Sequence, residues 1–586
     1  MVWMAVEKAR RLTPGEPSQL PLTQRALVIG GGIAGMTAAI ALARQGFETH
    51  LVERSAELGG LLNQLDELSP SGLKARELVE AKKRELLQSG VHVHLGKQIE
   101  TIGGVVGNFQ ARLSDGTTLQ VGAIVMATGA EPYRPTEFGY GSDPRVVTNL
   151  ELEAMLRRGA VEAERITFVG CVGSRQGNMG CSRYCCTSMI GQALRLRRMG
   201  KKVRILYREI RTYSRNAEEL YEQAMREGVQ FFRYDPDRPP QEAIAFEDGH
   251  VIFYDHLSQA YLRLPTDLLV LAVGLRPAAD GLAEQLRLSR SEDGFLMELH
   301  PKLGPAETAT QGIYLAGTAQ GPKDVREAIA QGLAAAAKAG ALLARGVIEK
   351  EPLTARVDLE KCIGCMRCVK VCPFNAIEPT GPVKVGKLRI IEAACMGCGT
   401  CAAECPTDAI IMPFFTKEQI LAQIDAALAE RPEEKCLVFT CNWCSYAGAD
   451  LAGIEKRQYP PSSRIIRTMC SGRFEEDFIA RAFEKGAGAV LITGCRLTET
   501  GSDCHYNYAN RQTWKRFQYW QRKFTRMGIE PERLQLRWIS AAEGKEFAEK
   551  LREMDEVVRR YVRKLRGEAV PAPKRAAQPA ETAGGE

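Results

Sequence analysis

The stretch RALVIGGGIAGMTAAIALARQGFETHLVER, residues 25–54, decides the fold of the first part of the chain. It reads as a strand, a glycine turn, a helix and a second strand. Gly30, Gly32 and Gly35 occupy the three places of GxGxxG, where glycine permits a tight turn, close approach of a pyrophosphate, and close packing of helix on strand. The second strand ends at Glu53, which can accept hydrogen bonds from a ribose. This combination predicts a dinucleotide-binding unit whose phosphates lie at the helix N-terminus.

Two later segments favour FAD as that dinucleotide. AIVMATGAEP, residues 123–132, resembles the ATG segment of two-dinucleotide flavoproteins, and GIYLAGTAQGPKDVREAIAQG, residues 312–332, resembles their second flavin segment. Those proteins have a thioredoxin-reductase-like α/β fold, and they usually carry an Asp where Thr318 stands in this chain. The residues predicted to bind FAD are Gly30, Gly32, Gly35, Glu53, Arg54, Ala127, Thr128, Gly129, Gly317 and Thr318.

Length and composition set the class of protein. A chain of 586 residues is too long for one core, and its net charge of +7 gives no reason to expect a nucleic-acid partner. The sequence shows neither an apolar run long enough to span a membrane nor a signal peptide. The 18 cysteines fall in short clusters, which favours metal thiolates over disulfides and predicts a reducing, cytoplasmic location.

Short β-branched runs alternate with helical stretches as far as residue 347, a pattern typical of α/β domains. Two matching cysteine repeats and a second α/β stretch follow. The predicted organisation is a polar N-terminal arm without periodicity (1–24), the first part of an FAD-binding domain (25–147), a degenerate nicotinamide-type domain with a cysteine loop (148–262), the second part of the FAD-binding domain (263–347), a ferredoxin domain with two [4Fe–4S] clusters (348–414), a small α/β iron–sulfur domain (415–565) and a disordered tail (566–586).

Residues 165–209 repeat the order strand, turn, helix, strand, which binds NAD(P)H in thioredoxin-reductase-like proteins. The turn reads GCVGSRQGNMGCSRYCC and lacks the GxGxxG spacing, so we do not expect NAD(P)H to bind there. The loop supplies the four thiolates that one [4Fe–4S] cluster needs, from Cys171, Cys181, Cys185 and Cys186. Its adjacent cysteine pair is unusual for zinc, and thiols without a metal are the alternative.

The loop CVGSR…CSRYCC and the later AGTAQGPKD together resemble the A subunit of heterodisulfide reductase. In that family the loop carries a non-standard cluster close to the FAD. The resemblance covers about residues 25–565, in two blocks that are separate polypeptides in some relatives. Members of this family often begin with a further cysteine-bearing domain, and this chain has a short arm there.

Residues 362–406 carry the motif C-x2-C-x2-C-x3-C-P twice. In such a motif three cysteines wrap one [4Fe–4S] cluster and the fourth ligates the other cluster. We therefore expect Cys405 to complete the first cluster and Cys372 to complete the second. Zinc would not require this repeat with both prolines. The predicted ligands are Cys362, Cys365, Cys368, Cys372, Cys395, Cys398, Cys401 and Cys405.

Residues 436–508 contain CLVFTCNWCSYAGAD, RTMCSGR and LITGCRLTETGSDCHY, and they resemble the delta subunit of methyl-viologen-reducing hydrogenase. That family is a small α/β protein with one [2Fe–2S] cluster, which relays electrons from a donor enzyme into heterodisulfide reductase. The predicted ligands are Cys441, Cys444, Cys470 and Cys495. Cys504 is the rival for the fourth place. Cys436 lies in an apolar strand and is interpreted as a small buried hydrophobe.

These resemblances imply an oxidoreductase subunit that passes electrons from a hydrogenase, a formate dehydrogenase or an NADH-oxidising enzyme through three [4Fe–4S] clusters and one [2Fe–2S] cluster to FAD. The other expected partners are heterodisulfide-reductase-like subunits and ferredoxin. In the family such a flavin can split an electron pair between acceptors of high and low potential. Two alternatives stay open: a wiring subunit of a membrane-associated, quinone-interacting oxidoreductase, and a self-contained NAD(P)H oxidoreductase.

Overall fold

The computed structural model describes residues 1–278, 281–301, 303–498 and 501–569. The chain forms two compact units: Gln19–Glu349 make the first, and Met1–Ser18 with the residues from Lys350 onward make the second. Within the described ranges, no helix combines the length and the apolar character that crossing a membrane needs. Most of the predicted disordered tail, residues 570–586, lies outside the described residues.

Helices and strands alternate through both units. The helices are α1 (Val2–Ala9), α2 (Ile33–Arg44), α3 (Ala75–Gln88), α4 (Asn149–Arg158), α5 (Cys185–Arg198), α6 (Ala217–Arg226), α7 (Pro240–Ala243), α8 (Leu282–Gln285), α9 (Val325–Leu343), α10 (Arg367–Val371), α11 (Thr400–Ala403), α12 (Lys417–Ala427), α13 (Ser445–Ile454), α14 (Glu476–Glu484), α15 (Ala509–Arg526) and α16 (Gly544–Leu565). The first strands are β1 (Ser18–Pro21), β2 (Arg25–Ile29), β3 (Glu48–Glu53), β4 (Glu67–Leu68), β5 (Leu73–Lys74), β6 (His92–Leu95), β7 (Ile99–Val105), β8 (Asn108–Leu113), β9 (Thr118–Val121), β10 (Ala123–Met126), β11 (Ala130–Pro132), β12 (Val146–Thr148), β13 (Arg165–Val172), β14 (Lys202–Tyr207) and β15 (Gln230–Arg233). The later strands are β16 (Ile244–Glu247), β17 (His250–Asp255), β18 (Ala260–Pro265), β19 (Leu268–Val273), β20 (Leu275–Pro277), β21 (Ile313–Leu315), β22 (Val347–Lys350), β23 (Arg356–Val357), β24 (Ile377–Pro379), β25 (Leu388–Ile390), β26 (Ile410–Ile411), β27 (Cys436–Cys441), β28 (Ser463–Thr468), β29 (Ala489–Gly494) and β30 (Leu534–Trp538).

A five-stranded parallel sheet in the first unit carries the glycine turn. Its strand order is β21-β10-β2-β3-β6, with β6 at one edge. All of β10 is buried, and so is β2 beyond Arg25, which is why these strands are apolar runs. The helices α2 and α9 pack closely: a Cβ at Gly332 would lie 2.6 Å from the Ala34 carbonyl oxygen. The segments 25–54 and 312–332 therefore meet at the carboxyl ends of the strands.

A second five-stranded parallel sheet lies in the same unit. Its order is β12-β19-β13-β14-β15, and the central strands β13 and β19 are buried on both faces. The cysteine loop connects β13 to α5 at the carboxyl ends of these strands, where doubly wound α/β sheets bind ligands. The two parallel sheets confirm the predicted α/β class.

The second unit joins the ferredoxin segment to a parallel α/β sheet. The ferredoxin segment contains two small antiparallel pairs, β23 with β26 and β24 with β25. The α/β sheet has the order β28-β27-β29-β30. Ile410 and Phe415 belong to the same apolar core as Phe439, Phe478 and Trp520. The ferredoxin segment and the α/β module, which is the part of the chain from α12 to α16 around this sheet, thus share one core.

The predicted polar arm at 1–24 is partly helical, which its sequence pattern does not indicate. Helix α1 packs on α12 within the second unit. Met4 is 3% exposed, and the Lys8 ammonium lies 4.2 Å from the centroid of the Phe415 ring. Since Met4 alone of α1 is buried, the helix has no repeated apolar face to reveal it. Its position depends on residues far along the chain.

Candidate functional site: a dinucleotide cavity and the cysteine groups

The glycine turn permits close approach of its neighbours and of a ligand. Gly30 has a φ of +110°, and a Cβ there would lie 2.2 Å from the Ala127 carbonyl oxygen. A Cβ at Gly35 would lie 1.9 Å from the Gly30 carbonyl oxygen, so packing requires glycine at both positions. At Gly32 a Cβ would meet no atom of the described residues within 4 Å. Gly32 borders open space.

That space is a cavity of about 1080 Å³ at the N-terminus of α2. Of the residues predicted to bind FAD, all but Gly35 line it. The lining residues of that set are Gly30, Gly32, Glu53, Arg54, Ala127, Thr128, Gly129, Gly317 and Thr318. The free backbone N–H groups and the dipole at the start of α2, near Ile33, favour an anion such as a pyrophosphate. The cavity therefore lies where the sequence predicts the dinucleotide, and its volume is large enough to hold one.

The Glu53 carboxylate is held by the glycine turn. Its Oε2 accepts a hydrogen bond from the Gly31 N–H at 2.6 Å, and its Oε1 accepts one from the Ser55 N–H at 2.7 Å. Because a carboxylate oxygen can accept two hydrogen bonds, both oxygens retain capacity for ribose hydroxyls. Arg54 pairs with Glu131 at 3.2 Å, and both also line the cavity.

Tyr184, Thr187 and Lys323 also line the cavity, and the sequence patterns did not single them out. Burial lowers the pKa of Lys323. Tyr184 precedes and Thr187 follows the adjacent cysteine pair, so the start of α5 belongs both to the cavity wall and to the cysteine loop. The only sequence signal for these residues is that each lies inside or beside a motif already recognised.

The cysteine loop places its predicted ligands at the end of β13 and the start of α5. Cys171 lies in β13 with a φ of +65°, which is uncommon for a residue with a side chain. Cys185 and Cys186 open α5, and Cys181 lies in the connecting loop. Cys181 is half-buried and the other three are buried. The structure brings the four to one end of the sheet.

Three arginines lie within electrostatic range of these thiols. Burial raises the pKa of Cys171 to about 11, and Arg175 and Arg208 oppose that rise. A hydrogen bond with its neighbour in the cysteine pair lowers the pKa of Cys186, and Arg211 lowers it further. A cluster bound by four thiolates would carry net negative charge, so these guanidinium groups would stabilise it and its reduced form.

The ferredoxin cysteines form two groups, arranged as the repeat predicts. A small cavity is lined by Cys362, Cys365 and Cys368 of the first run together with Cys405 of the second. The other group consists of Cys372, Cys395, Cys398 and Cys401, whose thiols interact electrostatically. Each run thus contributes its fourth cysteine to the group of the other run.

Backbone N–H groups donate to thiols in both ferredoxin groups. The Ala376 N–H donates to Cys372 Sγ at 3.3 Å, and the Ala409 N–H donates to Cys405 Sγ at 3.2 Å. The two bonds occupy equivalent places in the repeat. Hydrogen bonds to cluster sulfurs are one of the means by which a protein sets a cluster's reduction potential.

The α/β module gathers its cysteines at the carboxyl ends of its parallel strands. Cys441 ends β27, and Cys470 and Cys495 follow β28 and β29. The Sγ atoms of Cys441, Cys444 and Cys495 lie within 4.8 Å of one another, and all three residues are buried. Thiolates at this spacing can ligate one iron–sulfur cluster.

Cys504 belongs to the same buried group. Although burial raises the pKa of Cys504, hydrogen bonds with Cys470 and Cys495 bring it well below its ordinary value. The structure therefore gathers all five candidate thiols of the module. Cys436 begins β27, at the opposite end of the strand from Cys441, and has no exposed surface, which confirms its interpretation as a buried hydrophobe.

Aromatic side chains and a ferredoxin cysteine adjoin this group. The His505 ring stacks on Trp443 with centroids 5.1 Å apart and an interplanar angle of 6°, and its Nδ1 lies 4.0 Å from Cys444 Sγ. Cys398 packs in the same buried cluster as the five thiols of the module. The second ferredoxin group and the cysteine group of the module are therefore neighbours within one unit.

Models of known families match three successive parts of the chain. The pyridine nucleotide-disulphide oxidoreductase family matches residues 24–332, a 4Fe-4S dicluster domain matches residues 361–409, and the delta subunit of methyl-viologen-reducing hydrogenase matches residues 436–561. The fold, the cavity, the cysteine groups and these matches define a flavin and iron–sulfur electron-transfer protein.

Curated relatives extend the similarity along the chain. The A subunit of ferredoxin:CoB-CoM heterodisulfide reductase from Methanosarcina mazei is 33% identical over 667 aligned positions, which cover 95% of this chain and 83% of the relative. The A subunit of H(2):CoB-CoM heterodisulfide,ferredoxin reductase from Methanothermobacter marburgensis is 33% identical over 545 positions, covering 73% of this chain and 80% of the relative. The chain belongs to the family of heterodisulfide reductase A subunits.

Solved structures resemble about half of the chain. Thioredoxin reductase of Lactococcus lactis is 21% identical, covers 55% of this chain and 100% of its own, and has a TM-score of 0.41. Thioredoxin reductase of T. acidophilum is 16% identical, covers 54% of this chain and 97% of its own, and has a TM-score of 0.41.

Proposed function

We propose that the chain is the flavin hub of a heterodisulfide-reductase-like complex, which takes electrons from a donor enzyme at its C-terminal module and passes them through clusters to FAD. The proposed cofactors are one FAD, three [4Fe–4S] clusters and one [2Fe–2S] cluster, held by the residues predicted for each. The donor is a hydrogenase, a formate dehydrogenase or an NADH-oxidising enzyme; heterodisulfide-reductase-like subunits and ferredoxin are the other partners. Because cluster ligation needs reduced thiols, the proposed location is the cytoplasm.

The observation that carries this proposal is that the start of α5 both lines the cavity and bears two cysteines of the cysteine loop. Tyr184 and Thr187 line the cavity and directly border the Cys185–Cys186 pair. The Tyr184 hydroxyl donates to the Val273 carbonyl at 2.7 Å, which fixes the start of α5 against β19. Thiols at this place adjoin the predicted flavin site, which supports electron exchange between the two.

The cysteine groups of the second unit support the entry of electrons through the C-terminal module. Cys398 packs with the thiols of the α/β module, and the Asn507 amide donates to the Pro373 carbonyl at 3.2 Å. Electrons that enter the module thus have a neighbouring ferredoxin group to receive them. When bound, FAD can exchange electrons with both two-electron and one-electron carriers. With clusters on separate routes from the flavin, this would allow an electron pair to be split.

The end of β13 favours an external donor over NAD(P)H. In a nicotinamide domain a glycine turn presents a helix N-terminus to the pyrophosphate. Here β13 runs into Cys171, and α5 opens with the buried pair Cys185 and Cys186. Thiols occupy the place that the pyrophosphate would need.

Anaerobic purification of the tagged full chain from its host, with identification of its partners, tests the proposal. We expect heterodisulfide-reductase-like subunits and one donor oxidoreductase whose substrate reduces the flavin. Cys441→Ala should abolish that reduction, whereas Cys436→Ala, in the same strand but outside the predicted cluster, should preserve it. Reduction that survives Cys441→Ala would contradict the entry route. A cytochrome-like membrane protein in place of the donor would favour the quinone-interacting alternative.

A further inference from the structure

Three histidines meet at the edge of the sheet that carries the glycine turn, outside the set of residues lining the dinucleotide cavity. His50 lies in β3, and His92 and His94 lie in β6, the edge strand. In the parallel register His50 pairs with His92, and Val52 pairs with His94. Since successive side chains of a strand point to opposite faces, all three imidazoles project from one face of the sheet.

Two of the ring nitrogens lie at hydrogen-bond distance, which is also close to the separation of two nitrogens bound to one ion. Nδ1 of His50 lies 3.2 Å from Nε2 of His94. Two nitrogens bound to one tetrahedral ion at about 2.0–2.1 Å lie about 3.3–3.4 Å apart. The His92 ring stacks on His50, with centroids 5.0 Å apart and an interplanar angle of 25°, and His92 is exposed.

A carboxylate sets the tautomer of His50. Its Nε2 lies 3.3 Å from Glu48 Oε1, and the other carboxylate oxygen of Glu48 accepts from Arg25 Nε at 2.7 Å. An ionised carboxylate only accepts hydrogen bonds, so the neutral His50 ring carries its proton on Nε2 and has its lone pair on Nδ1. A ligand histidine that donates its other N–H to a carboxylate is the usual arrangement around a bound metal.

The surroundings of His50 and His94 disfavour the charged forms of these two rings. Burial lowers the pKa of His50, and the nearby His94 and His92 lower it further. Burial also lowers the pKa of His94, against the attraction of Asp115. A neutral imidazole retains the lone pair that a metal requires.

We propose that His50, His92 and His94 bind one divalent ion of the zinc, nickel or copper class, which imidazole ligands suit. His50 and His94 supply two ligands from their present positions. His92 supplies the third when its exposed side chain rotates out of the stack, and water fills the fourth position. The ion would tie the edge strand β6 to β3 and stabilise the sheet. This site does not depend on the proposed electron-transfer function.

The test uses Zn²⁺ alone, added anaerobically in one equivalent to the full chain with its cofactors. Diethyl pyrocarbonate modifies accessible imidazoles, and peptide mass spectrometry identifies each modified histidine. We expect Zn²⁺ to protect His50, His92 and His94 and to leave His250 and His256 reactive. Absence of protection, or zinc uptake that occurs only with release of iron from the cysteine sites, would overturn the proposal.

Matched variants test which residues bind the zinc ion. His94→Gln should lose the protection, and Glu48→Ala should weaken zinc affinity in calorimetric titration by about 10–100-fold. His250→Gln should change neither result. Full protection in His94→Gln would contradict the site. Should His94→Gln fail to fold, His92→Gln at its exposed position is expected to weaken zinc binding while leaving the fold unchanged, and unchanged zinc affinity would count against the proposal.

Discussion

Arg183, in the cysteine loop, pairs with Glu327 in the first turn of α9, with Nη2 and Oε1 2.6 Å apart. Glu327 also closes the capping box of α9, since its carboxylate accepts from the Asp324 N–H and its own N–H donates to Asp324 at 2.7 Å. Asp324 and Val325 line the dinucleotide cavity. Both partners of the Arg183 pair are partly exposed, so it contributes about 0–1 kcal/mol. The pair links the cysteine loop to the start of α9, beside the cavity.

We expect the anaerobically prepared full chain to contain about 14 iron atoms per FAD, from three [4Fe–4S] clusters and one [2Fe–2S] cluster. Replacing both Cys185 and Cys186 with Ser should lower the ratio to about 10, because the loop cluster loses two of its ligands. Iron and flavin analysis of one sample measures the ratio. Cys436→Ser, which alters a buried cysteine outside the predicted clusters, is the control. A wild-type ratio of about 10 that the double variant leaves unchanged would rule out the loop cluster.

Gly32→Val should reduce FAD retention by at least about tenfold while leaving the ferredoxin clusters intact, because its side chain would project into the cavity and the path of the pyrophosphate. A Cβ at Gly32 meets no atom of the described residues within 4 Å, so the variant should fold. Gly103→Val, at a β7 position with similar open space, is the matched control. Flavin absorbance per chain checks the result, and a normal flavin content in Gly32→Val would mean that the cofactor lies elsewhere.

The features that the sequence specifies most directly are those whose signal is local. The glycine turn is recognisable in the sequence because each of its three positions requires glycine for a different steric reason, and the spacing of these positions is fixed. The exchange of Cys372 and Cys405 between the two ferredoxin groups follows from the repeat alone. Helix α1 gave no such signal, because only Met4 is buried and its partners on α12 are brought near by tertiary packing.

Arg175→Met should lower the reduction potential of the cysteine-loop cluster by on the order of tens of millivolts, because loss of a nearby cation disfavours the more negative reduced state. Nη1 of Arg175 is buried without a hydrogen-bond acceptor among the described residues, and Nη2 lies 3.1 Å from Glu209. Anaerobic redox titration followed by EPR measures the potential. Arg226→Met, on the exposed face of α6, should leave it unchanged. Equal potentials in wild type and Arg175→Met would show that this cation does not act on the cluster.

Cys495→Ser should abolish the [2Fe–2S] signal in the EPR spectrum, and Cys504→Ser should retain it. The reason is geometric: Sγ of Cys495 already lies within 4.8 Å of those of Cys441 and Cys444. Cys504 is equally buried, so the two variants impose a comparable change on the core. The reverse pattern would make Cys504 the fourth ligand and Cys495 its neighbour.

Tertiary contacts explain what sequence reasoning missed at the site. Tyr184 and Thr187 reach the cavity only because the second parallel sheet presents the start of α5 to the first. The five thiols of the α/β module come from the segments that follow three different strands, β27, β28 and β29, and their spacing along the chain does not rank Cys495 against Cys504. The three histidines likewise depend on the register of β3 with β6.

Anaerobic stopped-flow mixing of the full chain with excess NADH or NADPH tests the central claim most directly. The claim is that electrons reach the flavin through clusters from a donor enzyme, because Cys171 and the Cys185–Cys186 pair occupy the place of a nicotinamide pyrophosphate. We expect neither nucleotide to bleach the flavin absorbance, while dithionite reduces it in the same sample. Rapid bleaching by either nucleotide, at a rate of roughly 10 per second as in ordinary enzyme turnover, would contradict the account and identify a self-contained NAD(P)H oxidoreductase.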